Sequence, residues 1–380
     1  MATAHASPPP PPPSPLLATG ELGPVSVPVG LPHATHRPLW SVVKEFLGRH
    51  PILCLALLSP GIPEYLSSSS ALSTILVNPA LFFLQLALNL ALYIPGVLLI
   101  REAMIRWKKG WGSVLLLGAA YGILEEGVAL ETLFYSRAGP VGAEGFYGHW
   151  LGINWVWTAG ILPVHMIFSI SLPILLLGLA LPQTRGKTLV GRRGVVCAFG
   201  AWAVDVPVLM VLVHGAYHYW MGWPIFFGSF AVIGLLVLAA YWAPSELLPI
   251  RPGPPRVSPF RAAVLGAAFF PPIWIFEGVL GYWKVLPAVT IAVIVVYEAA
   301  LAYLVARTLG TVDNPRHLVA FAAGLIAPIA LIGLVAELPI PVTLIADLAA
   351  FWFLRHLWKK YVPSGRSVTV PVPPGAFASG

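Results

Sequence analysis

From residue 47 to residue 358 the chain is a succession of apolar runs, each close to the ~20 residues that an α-helix needs to cross a bilayer. This pattern leaves few folds open. In lipid every backbone N–H and C=O must be satisfied within the chain, so such runs form membrane-spanning helices. The composition agrees: of 380 residues, 58% are hydrophobic and 10% charged, against about 25% charged in a soluble globular domain. The expected fold class is all-α, a polytopic integral membrane helix bundle.

Ten spans are expected, over roughly 47–66, 75–100, 111–135, 151–181, 194–219, 223–243, 260–282, 285–307, 317–336 and 339–358. The first is the weakest, because Pro60, Gly61 and Pro63 interrupt it, and a re-entrant segment is its alternative. The loops decide. Lys44 and Arg49 precede the first span; Arg101, Arg106, Lys108 and Lys109 follow the second; Arg185, Lys187, Arg192 and Arg193 follow the fourth. Arg251, Arg256 and Arg261 follow the sixth, Arg307 and Arg316 the eighth, and Arg355, Lys359 and Lys360 close the tenth. The other loops hold little beyond Arg137 and Lys284. Basic residues stay on the cytoplasmic side, so the pattern fits ten spans with both termini cytoplasmic, in a multi-pass protein of the cell membrane.

The net charge of +7 lies mostly in these loops, where it sets topology. The expected partner is the lipid bilayer and no nucleic acid. Residues 1–40, with the run Pro8–Pro13, read as a disordered Pro-rich tail without a signal peptide's basic and apolar regions. Residues 363–380 read as a second disordered tail, leaving 41–362 as the transmembrane domain. Cys54 and Cys197 each sit in an apolar segment and read as packing residues, with no disulfide framework and no cysteine metal site.

Glu125 and Glu126 stand side by side inside the apolar run of the third span. A charge at mid-bilayer costs a few kcal/mol or more, so intramembrane acids face a wet cavity, a partner or a chemical task. At ~1.5 Å per residue, Glu125, His165 and His214 on three successive spans fall between mid-membrane and the outer third. His218 lies one turn beyond His214 on the same face. Adjacent helical residues diverge by about 100°, so Glu125 and Glu126 are expected to aim differently, one at a cavity and one at a packed helix. Gly118 and Gly122 line up beneath Glu126, and small residues at that spacing let a neighbouring helix close in. Pro163 lies two residues before His165 and bends or opens the fourth span there.

Residue types alone leave several roles open. A Glu and a His can share a water as general base while other histidines donate to an oxyanion. The same set can ligate a divalent metal, relay protons or cations, or form a polar cluster that holds helices together. Glu277, Glu298 and Asp347 are further acids within apolar spans and support a transporter reading, although no internal repeat of the kind common in transporters is evident. A non-catalytic scaffold is the third reading. Glu64, at the outer end of the first span beside Pro63, reads as an interfacial loop acid, with a cap over the cavity as its alternative.

The order of the motifs resembles the CAAX prenyl protease and bacteriocin-processing family of intramembrane endopeptidases. The stretch Glu125-Glu126-Gly127-Val128-Ala129-Leu130, His165 at the end of Ile161-Leu162-Pro163-Val164-His165, and His214-Gly215-Ala216-Tyr217-His218 stand in the family's order on separate spans. Leu130 replaces the family's Arg, Ile161 its Phe, and His218 stands where Asn is frequent. The match covers residues 111–220. The resemblance implies that Glu125 activates water with help from His165, that His214 and His218 stabilise the oxyanion, and that Glu126 supports the site. It implies no metal or other cofactor, and a membrane-associated peptide as substrate.

Overall fold

The computed structural model describes residues 45–135, 146–245, 247–248, 255–270, 272–309 and 314–361. The tails expected over 1–40 and 363–380, together with Lys44, Arg137 and Arg251 of the charge pattern, lie outside these residues.

The described residues are nearly all helical. Seven helices are long and apolar enough to span a bilayer. They are α2 (Pro79–Arg106), α3 (Trp111–Ala129), α4 (Trp155–Ala180), α5 (Arg192–Tyr217), α6 (Trp223–Trp242), α8 (Pro287–Thr308) and α9 (Pro315–Ala336). A shorter apolar helix, α1 (Pro51–Leu66), precedes them. Two others, α7 (Pro259–Ala267) and α10 (Thr343–Lys360), complete the main elements. Helix starts follow local chemistry. Asn78, Asn154, Ser258 and Asn314 cap α2, α4, α7 and α9 with side-chain oxygens, which satisfies otherwise orphaned N–H groups. Prolines occupy the first turn of α1, α2, α6, α7, α8 and α9, where no N–H is needed. The described strands, His149–Trp150 and Ile153–Asn154, form a small antiparallel hairpin before α4.

Three of the ten expected spans take another form. The first is 16 residues, about 24 Å of helix against a core of about 30 Å. The seventh, expected over 260–282, breaks into α7, a π-helical turn Pro272–Glu277 and a short helix Gly278–Tyr282. The π turn begins at Pro272, and proline lacks the N–H that continues a regular helix. The tenth, α10, carries Asp347, Arg355, Lys359 and Lys360 and is not among the helices apolar enough to cross.

The centre of the bundle is α3, whose most apolar window is 78% buried, against 11% for α6 and 17% for α8 at the periphery. One core cluster joins α1, α2 and α3 to α4, α5 and α6 through residues such as Leu55, Tyr93, Val114, Ile170 and Leu209. A second joins α1 and α4 to α9 and α10 through Ile62, Leu176, Val319 and Leu357. Glycines permit close crossings, that of α3 on α4 among them. A Cβ on Gly118 would stand 2.9 Å from Met166 Cα, and one on Gly122 would stand 3.2 Å from His165 Cβ. The small-residue stripe of α3 thus brings α4 against it, as its spacing predicts.

The basic loops gather at one end. Arg101 donates to Thr184 O at 2.6 Å and to Lys187 O at 2.9 Å. Arg106 reaches Glu102 Oε2 at 3.0 Å, and Leu189 N–H donates to Glu102 Oε1 at 2.6 Å. Lys109 donates to Ala243 O at 2.7 Å, and Lys360 to Leu179 O at 3.1 Å. The loops after α2, α4 and α6 and the end of α10 therefore share one end of the bundle.

Candidate functional site

Three helices change pitch where they carry their ionisable side chains. In α1 the last turn, Gly61–Leu66, is π-helical and holds Glu64. In α3 the turn Ile123–Ala129 holds Glu125 and Glu126. In α4 the turn His165–Ser171 begins at the histidine. Pro60 and Pro63 in α1 and Pro163 in α4 supply the local cause, by removing N–H groups from the regular ladder. In α3 the wider turn is closed by the Leu130 N–H, which reaches back five residues to Glu125 O at 2.8 Å. Such π turns appear frequently at functional sites.

The wider turn of α3 turns both glutamates toward one ring. His165 Nε2 lies 3.0 Å from Glu126 Oε1, and His165 Nδ1 lies 3.0 Å from Glu125 Oε2. The expected divergence of the pair is thereby reduced to the two sides of a single imidazole. His165 is 3% exposed. Its Nδ1 also faces Ser169 Oγ at 3.1 Å, and Ser169 O accepts from Ser59 Oγ at 2.7 Å, fixing α1 to the same turn of α4. A carboxylate oxygen accepts from a ring N–H, so a ring with one nitrogen toward each glutamate can take up a proton on one side and release one on the other.

The two glutamates differ in their surroundings. Glu126 is on the wall of a cavity of about 280 Å³; Glu125 is not. Glu126 Oε2 also accepts from Thr132 Oγ1, which in turn accepts from Trp157 Nε1 at 3.3 Å. Glu125, 2% exposed, lies behind the ring. Tyr121 packs edge-on to His165 at 6.0 Å between centroids and to Tyr93 at 5.8 Å. The residue facing open space is thus Glu126, where the motif order points to Glu125.

The cavity has a second and a third acid. Glu64 lines it, fixed by Tyr93 OH at 2.6 Å and Ser70 Oγ at 2.7 Å; Asn89 donates to the same Ser70 Oγ at 3.0 Å. Glu298 of α8 lines it as well. Ser67, Ser69, Thr132 and Trp157 complete its polar wall. These residues lie at the ends of α1 and α3 and in the first turn of α4, so the chamber sits toward the end of the bundle opposite the basic loops.

His214 and His218 stand outside this cluster. His214 is exposed on α5, with its Nδ1 2.9 Å from Tyr219 O. His218 follows the end of α5 in a left-handed conformation, φ 51°, and is exposed. Neither lines the chamber. Depth along a span, which the sequence provides, does not determine which way the end of α5 faces. Glu277 and Asp347 also lie off the chamber wall. Among the described residues no three His, Cys, Asp or Glu side chains gather as metal ligands.

Beside the cluster, past the end of α3, Glu131 is buried and accepts from Met221 N–H at 3.0 Å. Burial pushes its carboxyl up from 4.5 to about 7, against the lowering effects of that N–H and of nearby His214.

Fold and site together define a multi-pass helical membrane protein with a polar chamber inside its bundle. No family model, curated protein or solved structure matches the chain.

Proposed function

We propose that this chain is an intramembrane hydrolase that cuts a peptide bond of a membrane-associated substrate, with Glu126 as general base. The observation that carries the reading is the 3.0 Å contact of Glu126 Oε1 with His165 Nε2 on the chamber wall. Glu126 takes a proton from water as the water oxygen attacks the scissile carbonyl, and when the tetrahedral intermediate collapses and the C–N bond breaks it gives that proton to the leaving amine, while its contact with His165 Nε2 orients the carboxylate. Glu125 is a positioning residue that holds the far side of the ring. The Ser69 hydroxyl is a donor on the chamber wall for a developing oxyanion, a task that the resemblance assigns to His214 and His218. The resemblance to the CAAX prenyl protease and bacteriocin-processing family supports the reading through Glu125, Glu126 and His165. Residence in the cell membrane, with the basic loops on the cytoplasmic side, belongs to the same proposal.

The test is cleavage of membrane-inserted peptides by the purified protein in proteoliposomes, read by mass spectrometry. The wild type yields products, and Glu126→Gln lowers the rate by about 100-fold or more. Product formation undiminished in Glu126→Gln overturns the assignment.

A second reading, a cation- or proton-coupled carrier, is favoured by one observation: Glu298 shares the chamber with Glu64 and Glu126. It requires flux across proteoliposomes that Glu298→Gln abolishes.

A further inference from the structure

The polar chamber does not end at Glu298. A second cavity, of about 390 Å³, adjoins it, and Pro163, Ile167, Phe269 and Glu298 line both. The second cavity lies between α3, α4, α8 and α9, and its wall is apolar: Leu115, Met166, Leu175, Ala302, Leu318 and Leu325 are representative. Its volume falls within the ~300–1,000 Å³ of small-molecule sites. Glu298 stands at the junction, and among the described residues it has no hydrogen-bond or ion-pair partner. On the chamber side Glu64 and Glu126 share the wall with Glu298 and His165.

Two joined compartments of opposite character fit a ligand with two ends. We infer that the paired cavities bind a single-chain amphiphile with a protonated amine head, the head at Glu298 where the two cavities join and the apolar chain in the cavity between α4 and α8. The sign of the head follows from charge complementarity. A carboxylate or phosphate head would meet acidic side chains on a wall whose one basic group, His165, is already held by Glu125 and Glu126, with no Lys or Arg on either wall. An ammonium has three donors to offer to carboxylate oxygens. The apolar wall gives about 25 cal/mol for each Å² of chain surface it removes from water; a chain leaving lipid gains less, so selectivity rests on the head. The inference concerns binding and does not require hydrolysis.

The test is photolabelling of the full-length protein in phosphatidylcholine nanodiscs with hexadecylamine carrying a diazirine on its chain. Hexadecanoic acid and hexadecanol with the same diazirine serve as head-group probes, and labelled residues are mapped by mass spectrometry. The amine labels the wall formed by α4, α8 and α9 about tenfold more than the acid or the alcohol. Glu298→Gln, which keeps the side-chain shape, lowers amine labelling about tenfold, the scale of one charge-assisted hydrogen bond. Ala302→Trp fills the apolar cavity and removes the labelling there. Equal labelling by all three probes, or amine labelling unchanged in both variants, overturns the inference. Peptide cleavage is scored separately, so a protein that binds the amine and cleaves nothing refutes the hydrolase reading alone.

Discussion

His165 stands between two consecutive glutamates of a neighbouring helix and presents a different ring nitrogen, at 3.0 Å, to each. The relationship sits where α3 and α4 each have a π turn and where α3 crosses α4 closely. Each feature can be tested separately.

The crossing depends on the absence of side chains at Gly118 and Gly122. Gly118→Val sets a branched side chain against the α4 backbone at Met166, where even a Cβ would be 2.9 Å from Met166 Cα. Overpacking of this kind costs about 1–3 kcal/mol. Thermal unfolding in detergent is expected to shift downward for Gly118→Val, while Gly200→Ala, at a position with open space around it, leaves the transition near that of the wild type.

Arg101 is buried and its guanidinium holds the carbonyls of Thr184 and Lys187. Arg101→Ala leaves these carbonyls without their donor and frees the loop between α4 and α5. Trypsin is expected to cut after Lys187 several-fold faster in the variant than in the wild type, read as the rate of appearance of the two fragments. Equal rates would mean that other contacts hold the loop.

Glu131 gives a pH dependence of defined sign. Its carboxyl is raised from 4.5 to about 7 in the fold, so between those values the folded chain keeps a proton that the unfolded chain has lost. Stability from this group is therefore full below about 4.5, declines as pH rises, and is gone above about 7. Glu131→Gln, an uncharged isostere, is expected to flatten the decline in melting temperature over that window. A slope identical to that of the wild type would assign the pH dependence to other groups.

Much of this arrangement is legible in the sequence, and the remainder has identifiable causes. Long apolar runs show most of the spanning helices because lipid leaves the backbone no other solution. Gly118 and Gly122 point by spacing to a close approach of some neighbouring helix, and the structure makes that helix α4. Glu64 is different: beside Pro63 it reads as a loop acid, and only the π turn after Pro60 brings it onto the chamber wall. Tyr93 carries no sequence signal, since buried tyrosines are common core residues, whereas Tyr121 shares the Glu125 face by its one-turn spacing. The choice between Glu125 and Glu126 escapes regular-helix geometry because the five-residue closure at Leu130 changes the angle between them. His214 shares the depth of the site but not its direction, for depth is a sum over residues, whereas direction is set by how α5 packs.

The most direct test of the account is the cleavage rate of one proteoliposome-embedded peptide substrate by wild type, Glu126→Gln, Glu125→Gln, His165→Gln and His214→Ala, each verified as folded by its melting transition. The account predicts losses of about 100-fold or more for Glu126→Gln and His165→Gln, a loss of about tenfold for Glu125→Gln, and a rate near that of the wild type for His214→Ala. Full activity in Glu126→Gln together with loss in His214→Ala would contradict it.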